Sequence, residues 1–428
     1  MTAPTKAEPL TAAEAQARVL AGARPLDVER VALDDSLGRV LAQDVVAPVS
    51  LPPWNNAGMD GYAVRADDVR EAARDHPTML TVIETIAAGA QPTRVVGRGE
   101  AARIMTGAPI PAGADSVVRV EDTDGGADTV MVLDARDAGH NVRPRGEDVR
   151  SGEAVLRAGT AIGPAQLGLL ASVGAASVAV RRRPRVAVLS TGDELADVTD
   201  FDAVRGGRRI VNSNGPAICA LVRDAGGIPT ALGIVRDDPE EMRAAVERAA
   251  GHDLLITTGG VSVGAFDYTR DVLRALGAEL SVWRVRIRPG APTGFGRLGA
   301  MPWLGLPGNP VSSLVTFELF ARPLMRALAG HTRLFRRTIP VRLDESLTLA
   351  APLTHFLRVT LHPASDDGLP RVRLTGGQGS GLLSSMARAD ALLVVPPDRS
   401  EYEAGERLEA IPLGDGGSFG ESSTLGSP

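Results

Sequence analysis

The chain has 428 residues, 44% of them hydrophobic, enough for two to four domains that each bury a core. Lys+Arg 46 against Asp+Glu 52 leaves a net charge of −6, so no basic field exists to hold nucleic acid or an anionic membrane surface. Lys6 is the only lysine, which removes Schiff-base and P-loop-lysine chemistry and leaves any anion to arginine or backbone N–H groups.

In chain order, Thr11 and Glu14 have capping-box spacing ahead of a short helix. From Val28 to Val49 β-branched and polar residues alternate, until Leu51-Pro52-Pro53-Trp54-Asn55-Asn56 breaks the pattern and marks a boundary. Strand-like runs at Leu80–Ile86, Ala102–Met105, Ser116–Val120 and Thr129–Leu133 give a β-rich unit reaching about Pro144. After an apolar stretch from Ala165 to Val180, the unalternated run Val186 to Leu189 opens a new domain, as expected of a strand buried on both faces. A helix from Gly215, a run at Pro229–Val235, a helix at Pro239–Ala250, the run Leu254–Ile256 and a helix from Tyr268 then alternate, predicting an α/β domain with a mostly parallel sheet. A single last helix is predicted over Pro310–Leu328. Beyond it come a linker, a second β-rich region ending near Leu413, and a Gly/Ser-rich tail expected to be disordered.

Ligands of open α/β sheets sit at the carboxyl ends of the strands, so the loops after the apolar runs are the first places to look for chemistry. Ser190-Thr191-Gly192-Asp193-Glu194 places two carboxylates at a strand end. Thr257-Thr258-Gly259-Gly260-Val261-Ser262-Val263-Gly264, followed by Asp267, lets backbone N–H groups approach an anion beside a helix N-terminus. In Gly305-Leu306-Pro307-Gly308-Asn309-Pro310, Asn309 is a candidate N-cap and Pro310 a first helical residue. Glu194, Asp237 and Asp267 offer the hard oxygen ligands that Mg²⁺ takes together with substrate phosphates. Plain turn chemistry is the competing reading of the glycines, and helix capping that of Asp237 and Asp238. Cys219 stands alone, and the six scattered histidines lack zinc-ligand spacing. The loops around Asn56 to Arg65 and Thr106 to Asp115, read from composition alone, are surface turns with Asp60 a turn acid. With neither a signal-peptide pattern nor an apolar run of membrane-spanning length, a cytoplasmic protein is expected.

These segments carry a family resemblance. MDGYAVR at Met59, TGAPIPAGAD at Thr106, NVRPRGED at Asn141, STGDEL at Ser190, GGVSVG at Gly259, GLPGNPVSS at Gly305 and QGSGLLSSMARA at Gln378 occur in order over nearly the whole chain. In these residues the sequence resembles the molybdopterin molybdenumtransferase family, which includes bacterial MoeA and the E domain of gephyrin. The resemblance implies a multidomain α/β-plus-β fold in an elongated homodimer. Residues 1–50 with 145–180 would form domain I, 51–144 the β-rich domain II, 181–332 a MogA-like α/β domain III, and 333–413 a β-barrel-like domain IV, with 414–428 as a tail. The implied reaction inserts molybdate into adenylyl-molybdopterin with Mg²⁺, giving molybdenum cofactor and AMP. A MogA-like adenylyltransferase and molybdoenzyme chaperones would be the neighbours in that sequence of reactions.

Carried over residue by residue, Asp60 and Thr106 would line the cleft from the partner subunit, and Glu194, Asp237 and Asp267 would handle Mg²⁺ and the adenylate. Ser262, Arg288, Pro292, Arg358 and Ser380 match family positions of molybdate or phosphate contact, and Gly259, Gly260, Gly308 and Asn309 the backbone cradle. The family commonly has lysine in PGKP, where this chain reads Pro289-Gly290-Ala291-Pro292, so Arg288 is left as the nearby cation. Ala265 and Ala57-Gly58 replace an acid and a serine in the same way. A degenerate paralogue that binds molybdopterin or a partner protein without turnover is the alternative that Ala291 suggests.

Overall fold

A computed structural model describes residues 9–260, 268–282, 284–350, 352–364 and 367–414. The expectations for Ser262, Ala265, Asp267 and residues 415–428 lie outside them. The described chain divides into two compact units, one of residues 30–37 and 41–180, the other drawn from residues 1–29, 38–40 and 181–428.

The first unit is built on a five-stranded sheet in the order Ser116–Arg119, Gly61–Val64, Glu100–Ile104, Thr78–Ile86, Thr129–Val132. The turn-rich motif at Asn56 to Arg65 is therefore not a surface loop throughout, because all four residues of Gly61–Val64 are buried in the second position of this sheet. Gly61 permits that position: a Cβ there would lie 1.9 Å from the Val118 carbonyl oxygen. Tyr62, fully buried, anchors the strand by donating its hydroxyl to the Gly126 carbonyl at 2.9 Å.

Asp137 is 2% exposed and accepts three bonds from Arg119, from the backbone N–H at 3.1 Å and from Nε and Nη2 at 2.9 Å each. Burial alone would raise its pKa, but the bonds from Arg119 and Asn141 outweigh it and hold the carboxyl at about 2. A depressed folded-state pKa contributes stability that is present above the unfolded carboxylate range and lost as pH falls through the folded value. Asp137→Asn should therefore cost on the order of 1–2 kcal/mol at neutral pH, with the difference from wild type shrinking toward pH 2. Urea unfolding across that range checks this, and a cost independent of pH would refute it.

In the second unit, the parallel strands Ile228–Val235, Arg185–Thr191, Leu254–Thr258 and Met301–Leu306 are extended by antiparallel Gly294–Leu298 and Glu279–Val282. Successive residues of the apolar runs feed opposite faces. Val186, Val188, Leu254 and Ile256 enter one core cluster, with the helices Asn214–Asp224 and Pro310–Thr316 and the N-terminal helix Ala12–Leu20. Ala187, Leu189 and Leu255 enter the other, against the helices Pro239–Arg248 and Tyr268–Ala275. Burial on both faces is why these strands lack alternation.

Two sequence expectations change here. The Gly294–Leu298 and Met301–Leu306 hairpin was not legible, because Gly294, Gly296 and Pro302 dilute its β pattern. Gly296 is needed where a Cβ would meet the Glu279 carbonyl oxygen at 2.6 Å. The final helix is also not uniform: Pro310–Thr316 and Arg322–Leu328 flank a π-turn at Phe317–Ala321. Pro323 supplies no N–H and its ring crowds the carbonyl four residues back, which a widened turn relieves.

The C-terminal part closes a five-stranded barrel through Thr354–Ala364, Pro370–Leu374, Ile339–Leu343, Arg407–Pro412 and Ala391–Val395, the last pairing back on the first. Phe356 and Leu392 on its outer face join the core cluster of the α/β sheet, whereas Leu357 and Val359 fill the barrel. Among the described residues no helix is long and apolar enough to cross a membrane.

Candidate active site

The carboxyl ends of the four parallel strands converge on a cleft of about 510 Å³. Each strand end contributes to its wall: Thr191, Gly192 and Glu194 after the first, Asp237 after the second, Thr258, Gly259 and Gly260 after the third, Pro307 and Gly308 after the fourth. Two helices begin at the rim, at Ser213 and Asn214 and at Asn309 and Pro310, and the Asn214 amide donates to the Gly308 carbonyl at 2.7 Å. Helix starts carry the positive end of the backbone dipole, so the wall favours anions without a lysine.

Backbone geometry makes this approach possible. Gly259 and Gly260 have φ of 88° and 62°, and a Cβ on Gly260 would lie 2.1 Å from Thr269 Oγ1. Their strand is held by Thr258 Oγ1 donating to Ser190 Oγ at 3.1 Å and by Trp303 Nε1 donating to Thr257 Oγ1 at 3.1 Å. Glycine is therefore required by space and by conformation at the third strand end.

The opposite side is acidic. The Asp237 N–H donates to Asp193 at 3.3 Å, and Asp238, not Asp237, caps the following helix by accepting from the Glu240 and Glu241 N–H groups. That leaves the Asp237 carboxylate in the cleft. Burial first, then the charges of Asp193 and Glu194, push its pKa above the ordinary range. A crowd of carboxylates holding a raised pKa is what a divalent cation relieves. Among the described residues no three His, Cys, Asp or Glu are gathered closely enough to hold a metal by themselves. Glu194 and Asp237 both line the cleft, so two carboxylates face the same space.

Of the residues singled out in the sequence, Glu194, Asp237, Gly259, Gly260, Pro292, Gly308 and Asn309 line the cleft. Asp60 and Thr106 belong to the other unit, where Asp60 accepts from Thr106 N–H at 2.6 Å and Oγ1 at 2.7 Å, bonds that depress its pKa. The two motifs that carry them are thereby joined at exposed residues. Arg288 is exposed on the strand Ile287–Arg288, which pairs with Thr354 and His355, and is not among the cleft-lining residues.

Three readings need correcting. Asn309 holds the N-cap position but its side chain makes no capping bond. At that helix start Pro310 has no N–H and the Val311 N–H is taken by the Ser380 carbonyl at 3.0 Å, so it is a weaker anion cradle than the sequence suggests. Arg358, read from the sequence as an anion contact, is not exposed but fully buried, with its guanidinium on three loop carbonyls and Ser385 Oγ. Missing from the sequence reading were Ile210, Val211, Asn212 and Ser213. The run of amides and hydroxyl before the Asn214–Asp224 helix was the available signal.

Comparison with known proteins extends this picture over most of the chain. Residues 10–174 match the MoeA N-terminal region (domain I and II), 187–327 a probable molybdopterin binding domain, and 340–413 the MoeA C-terminal region (domain IV). Molybdopterin molybdenumtransferase 2 of Mycobacterium tuberculosis is 40% identical over 403 residues, covering 93% of this chain and 97% of that protein. The chain belongs to the molybdopterin molybdenumtransferase family. The molybdopterin molybdenumtransferase of Staphylococcus aureus is 35% identical over 412 residues, covering 95% of this chain and 96% of that one. The crystal structure of the molybdopterin biosynthesis MoeA protein from Pyrococcus horikoshii OT3 aligns with a TM-score of 0.82 at 30% identity, over 95% of this chain and all of that one. Within this family the present member has Ala291, half-buried, next to the cleft-lining Pro292.

Proposed function

We propose that the protein inserts molybdate into adenylyl-molybdopterin, releasing AMP and molybdenum cofactor, as a Mg²⁺-dependent transferase. The observation that carries this reading is the cleft itself: carboxylates on one side and glycine-opened backbone on the other, in a chain related over nearly its whole length to named molybdenumtransferases. Glu194 and Asp237, with Asp267, would hold Mg²⁺, whose chemistry is to neutralise the phosphoanhydride and polarise it toward cleavage. The residues Gly259 and Gly260 orient the phosphates through the backbone. Pro292 lines the cleft, Ser262 matches a family position of molybdate or phosphate contact, and Arg288 is the cation nearest in sequence to Ala291. The working form in this reading is a cytoplasmic homodimer in which Asp60 and Thr106 reach the cleft of the partner subunit. A MogA-like adenylyltransferase would supply the substrate, and molybdoenzyme chaperones would take the product.

The deciding assay gives purified protein adenylyl-molybdopterin, Mg²⁺ and molybdate, and follows AMP release and cofactor activity. Turnover is expected, and binding without AMP release would overturn the reading. Ala291→Lys should lower the molybdate KM by about tenfold if an added cation strengthens one charge-assisted contact. An unchanged KM would mean that the oxyanion lies elsewhere. Shared sites have a second consequence. Asp60→Asn and Asp237→Asn homodimers, each inactive, should regain about a quarter of wild-type turnover when subunits are exchanged, because half the dimers become mixed and each carries one intact site. Verified heterodimers without recovered turnover would exclude a site built from two subunits.

A further inference from the structure

The exposed carboxylate of Asp60 stands on a short turn, Gly58-Met59-Asp60, that leads into the buried strand Gly61–Val64. Both ends of that turn are pinned by backbone bonds from elsewhere in the same unit. The Gly58 N–H donates to the Asn141 carbonyl at 2.7 Å, and the Asp60 carbonyl accepts from the Val120 N–H at 3.1 Å. Among the described residues Asn141 is the only non-glycine with positive φ, at 64°. An L-residue enters that region at a cost, which asparagine bears better than most because its short amide can bond locally.

The Asn141 amide is so used. Its Nδ2 donates to the Val117 carbonyl at 2.9 Å, and the side chain also bonds to the buried Asp137. Asp137 in turn accepts from the N–H and guanidinium of Arg119, the residue before Val120. The two pins of the turn therefore lead back to one carboxylate, through Asn141 on one side and through Arg119 and Val120 on the other. A right-handed or extended residue at position 141 would aim its carbonyl away from Gly58. We propose that Asn141 is a positioning residue: its left-handed backbone, locked by its own amide, fixes the Gly58–Asp60 turn and so presents Asp60, paired with Thr106, in one geometry at the surface. A carboxylate that has to meet a substrate gains from being held in advance rather than on arrival. That functional consequence rests on the reading in which Asp60 completes the partner subunit's cleft, whereas the structural one does not.

Hydrogen exchange of the substrate-free protein, read at single amides, is the first test. In the wild type the Gly58 amide should exchange at least about tenfold more slowly than an open surface turn would. Asn141→Ala loses both the amide and the tolerance of positive φ. It should raise Gly58 exchange by about tenfold, and lower kcat by about tenfold at an unchanged molybdate KM. Asn141→Gly lacks the amide but keeps the left-handed conformation, so it should restore part of the protection and part of kcat. In subunit exchange Asn141→Ala should behave as Asp60→Asn does, gaining turnover beside Asp237→Asn and none beside Asp60→Asn. A Gly58 amide that exchanges freely in the wild type overturns the proposal without any variant, and so decides the matter even if Asn141→Ala does not fold. Equal Gly58 exchange in the alanine and glycine variants overturns it too, since the backbone conformation would then fix nothing. Absence of turnover in the wild type would count against the proposed function and leave the exchange result standing.

Discussion

Asp237→Asn is expected to lower AMP release by about 100-fold or more while raising the thermal stability of the substrate-free protein. The two effects have one cause. Its pKa is raised by burial and by Asp193 and Glu194, so at neutral pH the folded chain bears an ionised group in an unfavourable place. For a carboxylate with a raised folded-state pKa the penalty is absent below the unfolded pKa and fully present above the folded one. The gain in stability should therefore appear at neutral pH and vanish in acid. The loss of turnover follows because an amide cannot supply the anionic oxygen that a divalent cation prefers, at nearly constant side-chain volume. For the same reason, Mg²⁺ affinity of the wild type should begin to fall, on acidification, at a higher pH than an ordinary aspartate would give. Calorimetric melting with and without Mg²⁺, beside the AMP assay, separates the outcomes. A variant that loses both stability and turnover would mean that Asp237 is structural.

Gly260→Ala should abolish turnover and destabilise the α/β unit by about 2–4 kcal/mol, combining a left-handed backbone with a steric clash. At φ 62° an alanine is strained, and its Cβ would lie 2.1 Å from Thr269 Oγ1 and 3.1 Å from Thr191 Oγ1. The two contributions can be told apart. Adding Thr269→Ala removes the nearest atom, so the double variant should recover part of the stability, with the backbone strain remaining. Recovery of stability without turnover would show that the strand end must keep its backbone conformation to orient phosphate. No recovery at all would place the whole cost in the dihedral angle. Denaturant unfolding of both variants gives the comparison.

The α/β unit was legible where local chemistry and tertiary burial agree. Val186–Leu189 and Leu254–Ile256 read as strands buried on both faces, and they lie in the middle of the sheet with successive residues in opposite cores. The carboxylates and glycines after those strands could be found because ligands collect at strand ends, and Glu194, Asp237, Gly259 and Gly260 do meet in one cleft. Where the signal was weak, the reason was local. A glycine-rich hairpin looks like loop until a neighbouring strand supplies its partner, and Gly61–Val64 looks like turn until the sheet buries it.

What the sequence alone determined was the order of its motifs, the family that those motifs resemble, and which residue types gather after the buried strands, because each is carried by a local stretch of chain. What only the tertiary structure decided was which of those side chains are free to act. Asp237 is left to the cleft because Asp238 takes the helix cap, and Arg358 is fully buried with its guanidinium on three loop carbonyls and Ser385 Oγ. Donors and acceptors are finite, and whether a polar group is already satisfied depends on partners distant in the chain, which no local pattern records.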